Sequence, residues 1–305
     1  MEPKPANPKV NSFSFVETFK NLFKSTYNVL SQDKLSFIGI GMLLIFFLVA
    51  IFAPYIATHD PSEINRDENN EVRRVEPPSR DHLFGTTNYG RDVFSQLILG
   101  SRIALMVGIL AAFFVTIIGT HIGLFAGYYG GWVDTLLMRF VDIMYAIPFI
   151  PFVIILVALL EPSIGNIILS ISLLVWRTVA RIIRSQVLTV VQRPYVKAAK
   201  VAGASNLRII YLYVLPNVLP LILLEMSLMM AWAILAEASV SFIGFGDPNS
   251  TSWGQMLQEA FISGAVREAW WWIVPPGVAI SLTLLAVFFS SRALEVAVNP
   301  RLRRR

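Results

Sequence analysis

The chain has 305 residues, of which 55% are hydrophobic and only 15% are charged, and its mean hydropathy is +0.61. A soluble domain of this length carries about a quarter charged residues, so the composition argues against an ordinary soluble enzyme and indicates a membrane protein. The chain has no cysteine, which excludes a disulfide framework, a thiolate nucleophile and a cysteine-ligated metal site.

Six apolar segments are candidate membrane spans, because a helix rises about 1.5 Å per residue across a hydrocarbon core of about 30 Å. In chain order they are 35–57, 103–127, 144–160, 163–176, 217–245 and 270–291. The third and fourth are shorter charge-free cores that can extend by a turn or two, and the fifth contains Glu225 and Glu237. The sequence therefore predicts an all-α, polytopic membrane protein with six transmembrane helices.

Residues 1–34 form a polar segment before the first span. Phe15, Phe19 and Leu22 fall on one side of a helical projection and Lys20 and Lys24 on the other, which predicts either a helix at the membrane interface or a helix packed on its own span. No small-residue cleavage site follows the first span, so we expect residues 35–57 to remain as an anchor.

The distribution of charge predicts the topology. Segments 1–34, 128–140, 177–216 and 292–305 lie on one side of the six spans and hold 5, 1, 7 and 5 of the 25 Lys and Arg residues. Cytoplasmic segments carry such an excess. We therefore expect a multi-pass protein of the plasma or inner membrane with both termini in the cytoplasm. The basic tail 292–305 and the sequence pI near 9.5 are explained in this way, without a nucleic-acid partner.

The remaining organisation follows from these spans. Residues 58–102 form an extracytoplasmic loop with eight acidic side chains, which is long enough to contact an external protein and equally typical of a plain tethered loop. Residues 103–291 form a five-span core that contains the cytoplasmic loop 177–216. This loop has seven basic residues and no acidic residue.

The loop 177–216 contains a predicted helix-turn-helix. Val196, Ala199, Ala202 and Gly203 recur at helical spacing and predict one face of small side chains, which lets a partner approach closely. Gly203 is typical of a helix C-terminus. Ser205 or Asn206 then caps a second helix at 207–215, which Pro216 ends before Asn217 caps the next span. A solvated loop helix without a partner is the alternative.

This stretch resembles the EAA loop of importer permeases of the ATP-binding cassette (ABC) superfamily. That loop reads Glu-Ala-Ala, three residues, Gly, nine residues, a hydrophobic residue, any residue and Leu-Pro. Here the corresponding residues are Lys197, Ala198, Ala199, Gly203, Tyr213, Leu215 and Pro216. The spacing agrees throughout, and Lys197 replaces the leading Glu.

Other stretches resemble the second permease of dipeptide, oligopeptide and nickel importers, so that the likeness extends from the first span to the C-terminus. They are GTTNYGRDVFSQLILGSR (85–102), AGYYGGWVDTLLMRFVDIMYAIP (126–148), AILAEASVSFIGFG (233–246), SWGQML (252–257) and NPRLR (299–303). Several motifs in the same order are more specific than one short pattern.

The resemblance implies the partners and the coupling residues. Such a permease pairs with a second homologous permease subunit, two cytoplasmic ATPase subunits and an extracytoplasmic substrate-binding protein. The ATPases would contact Lys197, Ala198, Ala199 and Gly203, with Ala202 and Leu207 as neighbours. The chain has no Gly-x-x-x-x-Gly-Lys-Ser/Thr motif, so ATP and Mg are expected on the ATPases, with no cofactor and no catalytic residue here. Peptide is the leading cargo, and oligosaccharide or nickel the alternatives.

Two other classes of protein remain open at this point. Gly244-Phe245-Gly246-Asp247 matches the signature of intramembrane aspartyl proteases, whose second carboxylate would have to be Asp134 or Asp142. The predicted topology places these at the opposite membrane face.

A proton- or sodium-driven carrier would use ionisable residues within spans, for which Glu225, Glu237 and His121 are the candidates. We interpret Glu225 and Glu237 as pore or gate candidates, with a polar contact between spans as the alternative. His59 and His82 lie outside the spans, so a histidine metal site is not expected.

Overall fold

The computed structural model describes residues 33–298, so the interfacial helix predicted before the first span and the ending 299–305 lie outside it. Within this range the chain is helical, with isolated β-bridges as its only extended pairing, which confirms the all-α prediction. The helices are α1 (Lys34–Ile56), α2 (Val93–Tyr129), α3 (Gly131–Ala146), α4 (Phe149–Leu160), α5 (Ile164–Val191), α6 (Pro194–Val201), α7 (Asn206–Ile209), α8 (Leu215–Val240), α9 (Trp253–Ile262) and α10 (Trp270–Val298).

Two π-helical segments flank α8. Ile210–Val214 joins α7 to the start of α8, and Ser241–Phe245 follows its end, so that Asn206–Phe245 runs without a loop. Five helices in the described range are long and apolar enough to cross a membrane. They are Lys34–Ile56, Val93–Tyr129, Ile164–Val191, Asn206–Phe245 and Trp270–Glu295.

The sixth crossing is shared by α3 and α4, which meet at Pro148 with a bend of 84°. The pair runs along α5. Asp134 near the start of α3 binds Arg184, and the Asn166 side chain donates to the carbonyl of Leu160, at the end of α4, over 2.7 Å. Positions 166 and 184 of α5 are about 27 Å apart at 1.5 Å per residue, close to the thickness of a hydrocarbon core. The bent pair therefore completes one crossing.

The first and last spans meet at the same face, as an even number of crossings requires. Arg292 Nε near the end of α10 donates to Asp33 Oδ2, before the start of α1, over 3.0 Å. The end of α2 reaches this face too, because Tyr128 Oη donates to Asn206 Oδ1 over 2.8 Å. This surface, which also carries α6, is called the coupling face below; the opposite surface, which carries the loop between α1 and α2, is called the outer face.

A glycine stripe brings α2 against α5. Cβ atoms added at Gly119 and Gly123 would lie 2.6 Å from the carbonyl oxygen of Trp176 and 2.7 Å from that of Ala180. One at Gly127 would lie 2.8 Å from Val187 Cβ. Small residues four positions apart allow backbones of membrane helices to approach this closely. These two helices form the centre of the bundle.

The predicted start of the loop 177–216 was wrong. α5 continues to Val191, further than the turn or two by which the core 163–176 was expected to extend, so Arg177, Arg181 and Arg184 belong to a helix and not to a loop. Their charges are compensated by α3, which occupies the segment 128–140 predicted as a loop. Arg184 pairs with Asp134 and Arg181 with Asp142, while Arg177 donates to a backbone carbonyl of α3. Paired charges are compatible with membrane helices.

The end of the outer loop 58–102 and the end of the loop 177–216 also differ from the prediction. α2 begins at Val93 rather than 103, with the Asp92 side chain accepting from Ser95 N over 2.8 Å as its cap. Pro216 does not end a helix and Asn217 does not cap one. Pro216 has no N–H to donate, and the helix passes it with a π-helical turn just before, in which Leu215 N donates to Ile210 O. Asn217 Nδ2 donates to the carbonyl of Tyr213 over 2.7 Å.

Candidate coupling site

The helix α6 is short and its ends are well defined. Pro194 occupies its first turn, where the missing N–H costs nothing. After its last residue Val201 and the cap Ala202, Gly203 turns the chain with a φ of +80°, in the left-handed region. The amide of Ala204 donates to the carbonyl of Ala199 over 3.1 Å. A Cβ added at Gly203 would meet nothing within 4 Å, so the backbone conformation alone favours glycine there.

The turn after Gly203 leads directly into the next helix. Of the two predicted caps, Ser205 is the one used, since its Oγ accepts from the amide of Arg208 over 3.4 Å. Asn206 instead accepts the hydrogen bond from Tyr128 at the end of α2. The helix-turn-helix is therefore attached to two spans, α2 through this hydrogen bond and α8 through continuous helix.

The face of small residues predicted on α6 is divided. Val196 is buried, 3% exposed, in the same core as Val187 and Val190 of α5 and Ile209 after the turn, and Ala199 is half-buried beside it. Only Ala202 and Gly203 of the predicted face are exposed. Ala199 lies three residues after Val196, on the same side of the helix, so burying Val196 against the bundle turns Ala199 inward as well.

The outer side of α6 is exposed and partly apolar. Val201 is 90% exposed and Leu207, after the turn, is 56% exposed. Lys197, Ala198 and Ala202 are also exposed. Exposed aliphatic side chains on a projection of this kind are typical of surfaces that bind another protein. Val201 could not be singled out from the sequence, because helical spacing alone does not tell which side of a two-turn helix faces the bundle.

The two acidic residues of the fifth span are both buried. Glu237 is 2% exposed and accepts from Ser241 Oγ over 2.7 Å. The start of α9 packs beside it, because a Cβ added at Gly254 would clash with the carbonyl oxygen of Ala238. Glu225 lies nearer the middle of α8. A role for either residue in a pore or gate stays a prediction.

The chain matches two protein families. Residues 119–304 match the family described as "Binding-protein-dependent transport system inner membrane component". Residues 21–78 match the "N-terminal TM domain of oligopeptide transport permease C". The chain belongs to the binding-protein-dependent transport permeases. This confirms the resemblance that the coupling loop and the other motifs indicated.

Curated relatives are similar to this permease over nearly its whole length. The dipeptide transport system permease protein DppC of Alkalihalophilus pseudofirmus is 34% identical over 305 residues, 99% of this chain and 97% of that protein. DppC of Bacillus subtilis is 37% identical over 276 residues, 90% of this chain and 84% of that protein. The oligopeptide transport system permease protein OppC of the same organism is 33% identical over 285 residues, 93% and 91% respectively.

The protease alternative has no support in this permease. Asp247 accepts from the amide of Ile164 at the start of α5 over 3.3 Å, whereas Asp134 pairs with Arg184. Twenty residues of α5 separate these contacts, about 30 Å along the helix axis. The other candidate, Asp142, pairs with Arg181 over 2.9 Å. Carboxylates this far apart cannot share a proton.

The loop between α1 and α2 is folded back on itself rather than loosely tethered. Asn65 N donates to the carbonyl of Gly90 over 2.9 Å, and Val75 N to that of Thr87 over 3.1 Å. A cleft of about 1140 Å³ opens on the outer face between this loop, α1, α2 and α9. Arg91 and Glu259 form an ion pair of 3.6 Å in its wall.

Proposed function

We propose that this permease forms half of the translocation pore of an ATP-driven importer and carries peptides delivered by an external binding protein. A second homologous permease subunit completes the pore, and two ATPase subunits bind ATP and Mg, so the chain itself is no enzyme and needs no cofactor. Peptide is favoured as cargo because the relatives are named for dipeptide and oligopeptide transport. The comparisons give no support to oligosaccharide or nickel.

The observation that carries this proposal is the two-sided character of α6. Its inner residue Val196 shares a buried core with α5 and α8, whereas Val201 and Leu207 are exposed. A protein that binds the outer side can therefore move the spans through the inner side. Lys197, Ala198, Ala199, Ala202 and Gly203 lie in or beside the proposed ATPase contact.

The orientation follows from charge. Segments 1–34, 128–140, 177–216 and 292–305, which the sequence places on one side, hold most of the Lys and Arg residues, so we assign the coupling face to the cytoplasm, where the ATPases are. The outer face then receives the binding protein. Its cleft contains Arg91, Arg102 and Glu259, and side chains of both signs suit the two charged termini of a peptide.

The test changes one exposed residue of α6 and one of α7, after the turn, without touching the core. Val201→Asp and Leu207→Asp place a carboxylate in the proposed interface, where burying an unpaired charge costs several kcal/mol. The matched control is Ile64→Asp, at a residue 48% exposed in the loop of the outer face. Each variant is purified from native membranes in mild detergent, and co-purified ATPase is quantified by mass spectrometry.

We expect the amount of bound ATPase to fall at least about tenfold in Val201→Asp and in Leu207→Asp, and to be unchanged in the Ile64→Asp control. ATP-dependent uptake is then measured in proteoliposomes with a labelled dipeptide, a labelled oligosaccharide and Ni²⁺ as separate substrates. Uptake of the dipeptide alone supports the cargo. Retention of the ATPase by both Val201→Asp and Leu207→Asp would contradict the proposed contact surface. Uptake of another substrate instead of the dipeptide would contradict the proposed cargo.

A further inference from the structure

Two histidines and an aspartate meet on the outer face, where α1 ends and α2 begins. His59 follows α1, His82 lies in the connecting loop and Asp92 caps α2. One ligand atom from each falls within 4.8 Å of the others. His82 Nδ1 lies 2.9 Å from Asp92 Oδ1, and His59 Nδ1 lies 3.8 Å from the same oxygen.

We propose that His59, His82 and Asp92 bind one zinc ion. Two imidazoles and a carboxylate, with a fourth position left for water, are a ligand set that zinc takes. With metal–ligand bonds of about 2.1 Å, tetrahedral ligand atoms lie about 3.4 Å apart. The two distances from Asp92 Oδ1, 2.9 and 3.8 Å, each differ from that value by about half an ångström, so small shifts bring each histidine nitrogen to the tetrahedral distance from the carboxylate.

The surroundings hold each ligand in place. Asp92 Oδ2 accepts from Ser95 N over 2.8 Å, which leaves Oδ1 for the metal. The backbone of His59 donates to Ser95 Oγ over 3.0 Å, and that of His82 to Ser79 Oγ over 3.0 Å. The bond to Asp92 orients a ligand carboxylate directly, and the two backbone bonds fix the main chain at each histidine. Thr58 Oγ1, 3.0 Å from His59 Nδ1, rotates aside when that nitrogen binds zinc.

Burial supports the same assignment. Asp92 is fully buried and His82 nearly so, whereas the side chain of His59 is 28% exposed and leaves an entry for the ion. A buried carboxylate beside two imidazoles is stabilised by a cation among them. The ion would join the end of the first span to the start of the second and fix the outer loop. This site does not depend on which cargo the permease carries.

The experiment uses the full chain with an affinity tag that lacks histidine, stripped with a chelator in mild detergent and reloaded with zinc. Bound zinc per chain is measured by plasma mass spectrometry, and affinity by competition with a fluorescent zinc indicator. The variants are His59→Ala and Asp92→Asn, because asparagine still caps a helix. The matched control is His121→Ala, which removes the remaining histidine of the chain, on α2.

We expect one zinc per chain in the wild type and in His121→Ala, and affinity weaker by at least about 100-fold in the two site variants. At a hundredfold excess over Kd, zinc should raise the unfolding temperature of the wild type by about 5 °C and leave that of His59→Ala unchanged. Without zinc, equal unfolding temperatures for both chains show that the variant folds. Substoichiometric zinc in the wild type, or equal binding by His59→Ala, would show instead a stacked histidine pair hydrogen-bonded to Asp92 and would overturn the proposal.

Discussion

Replacing Gly123 by alanine tests the close approach of α2 and α5. An added Cβ there would lie 2.7 Å from the carbonyl oxygen of Ala180 and 3.0 Å from the amide nitrogen of Arg184. Both are backbone atoms of a helix and cannot rotate away as a side chain does. The two helices must therefore separate locally by about 0.5 Å, and a gap of that size already removes about a quarter of each dispersion contact around it.

The cost follows from these contacts. Overpacking of a well-packed interior by one carbon typically destabilises by about 1–3 kcal/mol, and we expect Gly123→Ala to fall in this range. The matched control is Gly41→Ala in α1, where an added Cβ would meet nothing within 4 Å. Alanine is also the better helix former, so this control should be neutral or more stable by up to about 1 kcal/mol.

The assay is equilibrium unfolding in mixed micelles, titrated with a denaturing detergent and followed by tryptophan fluorescence. Trp176 lies at the α2–α5 contact and reports on its opening. We expect Gly123→Ala to shift the midpoint toward lower denaturant and Gly41→Ala to leave it unchanged or raise it. Equal midpoints for the wild type and Gly123→Ala would refute the close packing of these two helices.

Three further predictions use the same purified protein. Asp134→Asn leaves the partly buried guanidinium of Arg184 without its carboxylate, and we expect a loss of about 1–3 kcal/mol in the micelle titration; no loss would contradict the ion pair. Glu237→Leu removes the acceptor of the buried Ser241 hydroxyl, so its unfolding midpoint should fall well below that of Glu237→Gln, and equal midpoints would contradict this hydrogen bond. Burial raises the pKa of Glu259 from 4.5 although Arg91 opposes the shift, so the folded state holds this proton more tightly and stability falls as pH rises from 4.5 through the raised pKa. Glu259→Gln should flatten that part of the thermal-unfolding profile, and a profile parallel to the wild type would contradict this.

The membrane spans could be predicted where charge was absent, and α5 was predicted too short where charge is paired. α1 and α10 are free of charge over most of their length, and their predicted starts agree with the structure within a residue. α5 was cut short because Arg177 and the arginines after it read as a loop. Their partners lie on α3, tens of residues earlier in the chain, and single-sequence hydropathy contains no information about such pairing.

The candidate site shows the same division between local and long-range information. The turn could be predicted because Gly203 and Ser205 act through their own backbone and nearest neighbours. The direction in which Val196 points could not, since it depends on the core that α5 and α8 provide. The approach of His59 to Asp92 depends likewise on the path of a loop of more than thirty residues, and no short motif announces it.

The continuous helix from Asn206 to Phe245 explains how a contact at one face can act at the other. It starts at the turn after α6 and ends beside α9, and its path is about 60 Å long at 1.5 Å per residue. Near its start, Leu215 N donates to Ile210 O in a π-helical turn, and Pro216 removes a further backbone donor. Bending concentrates where such bonds are altered or missing. In the proposed importer, a displacement of α6 would be converted at this joint into a tilt of α8. The far part of α8 packs against the start of α9, where Gly254 lies against Ala238, on the face that would receive the peptide.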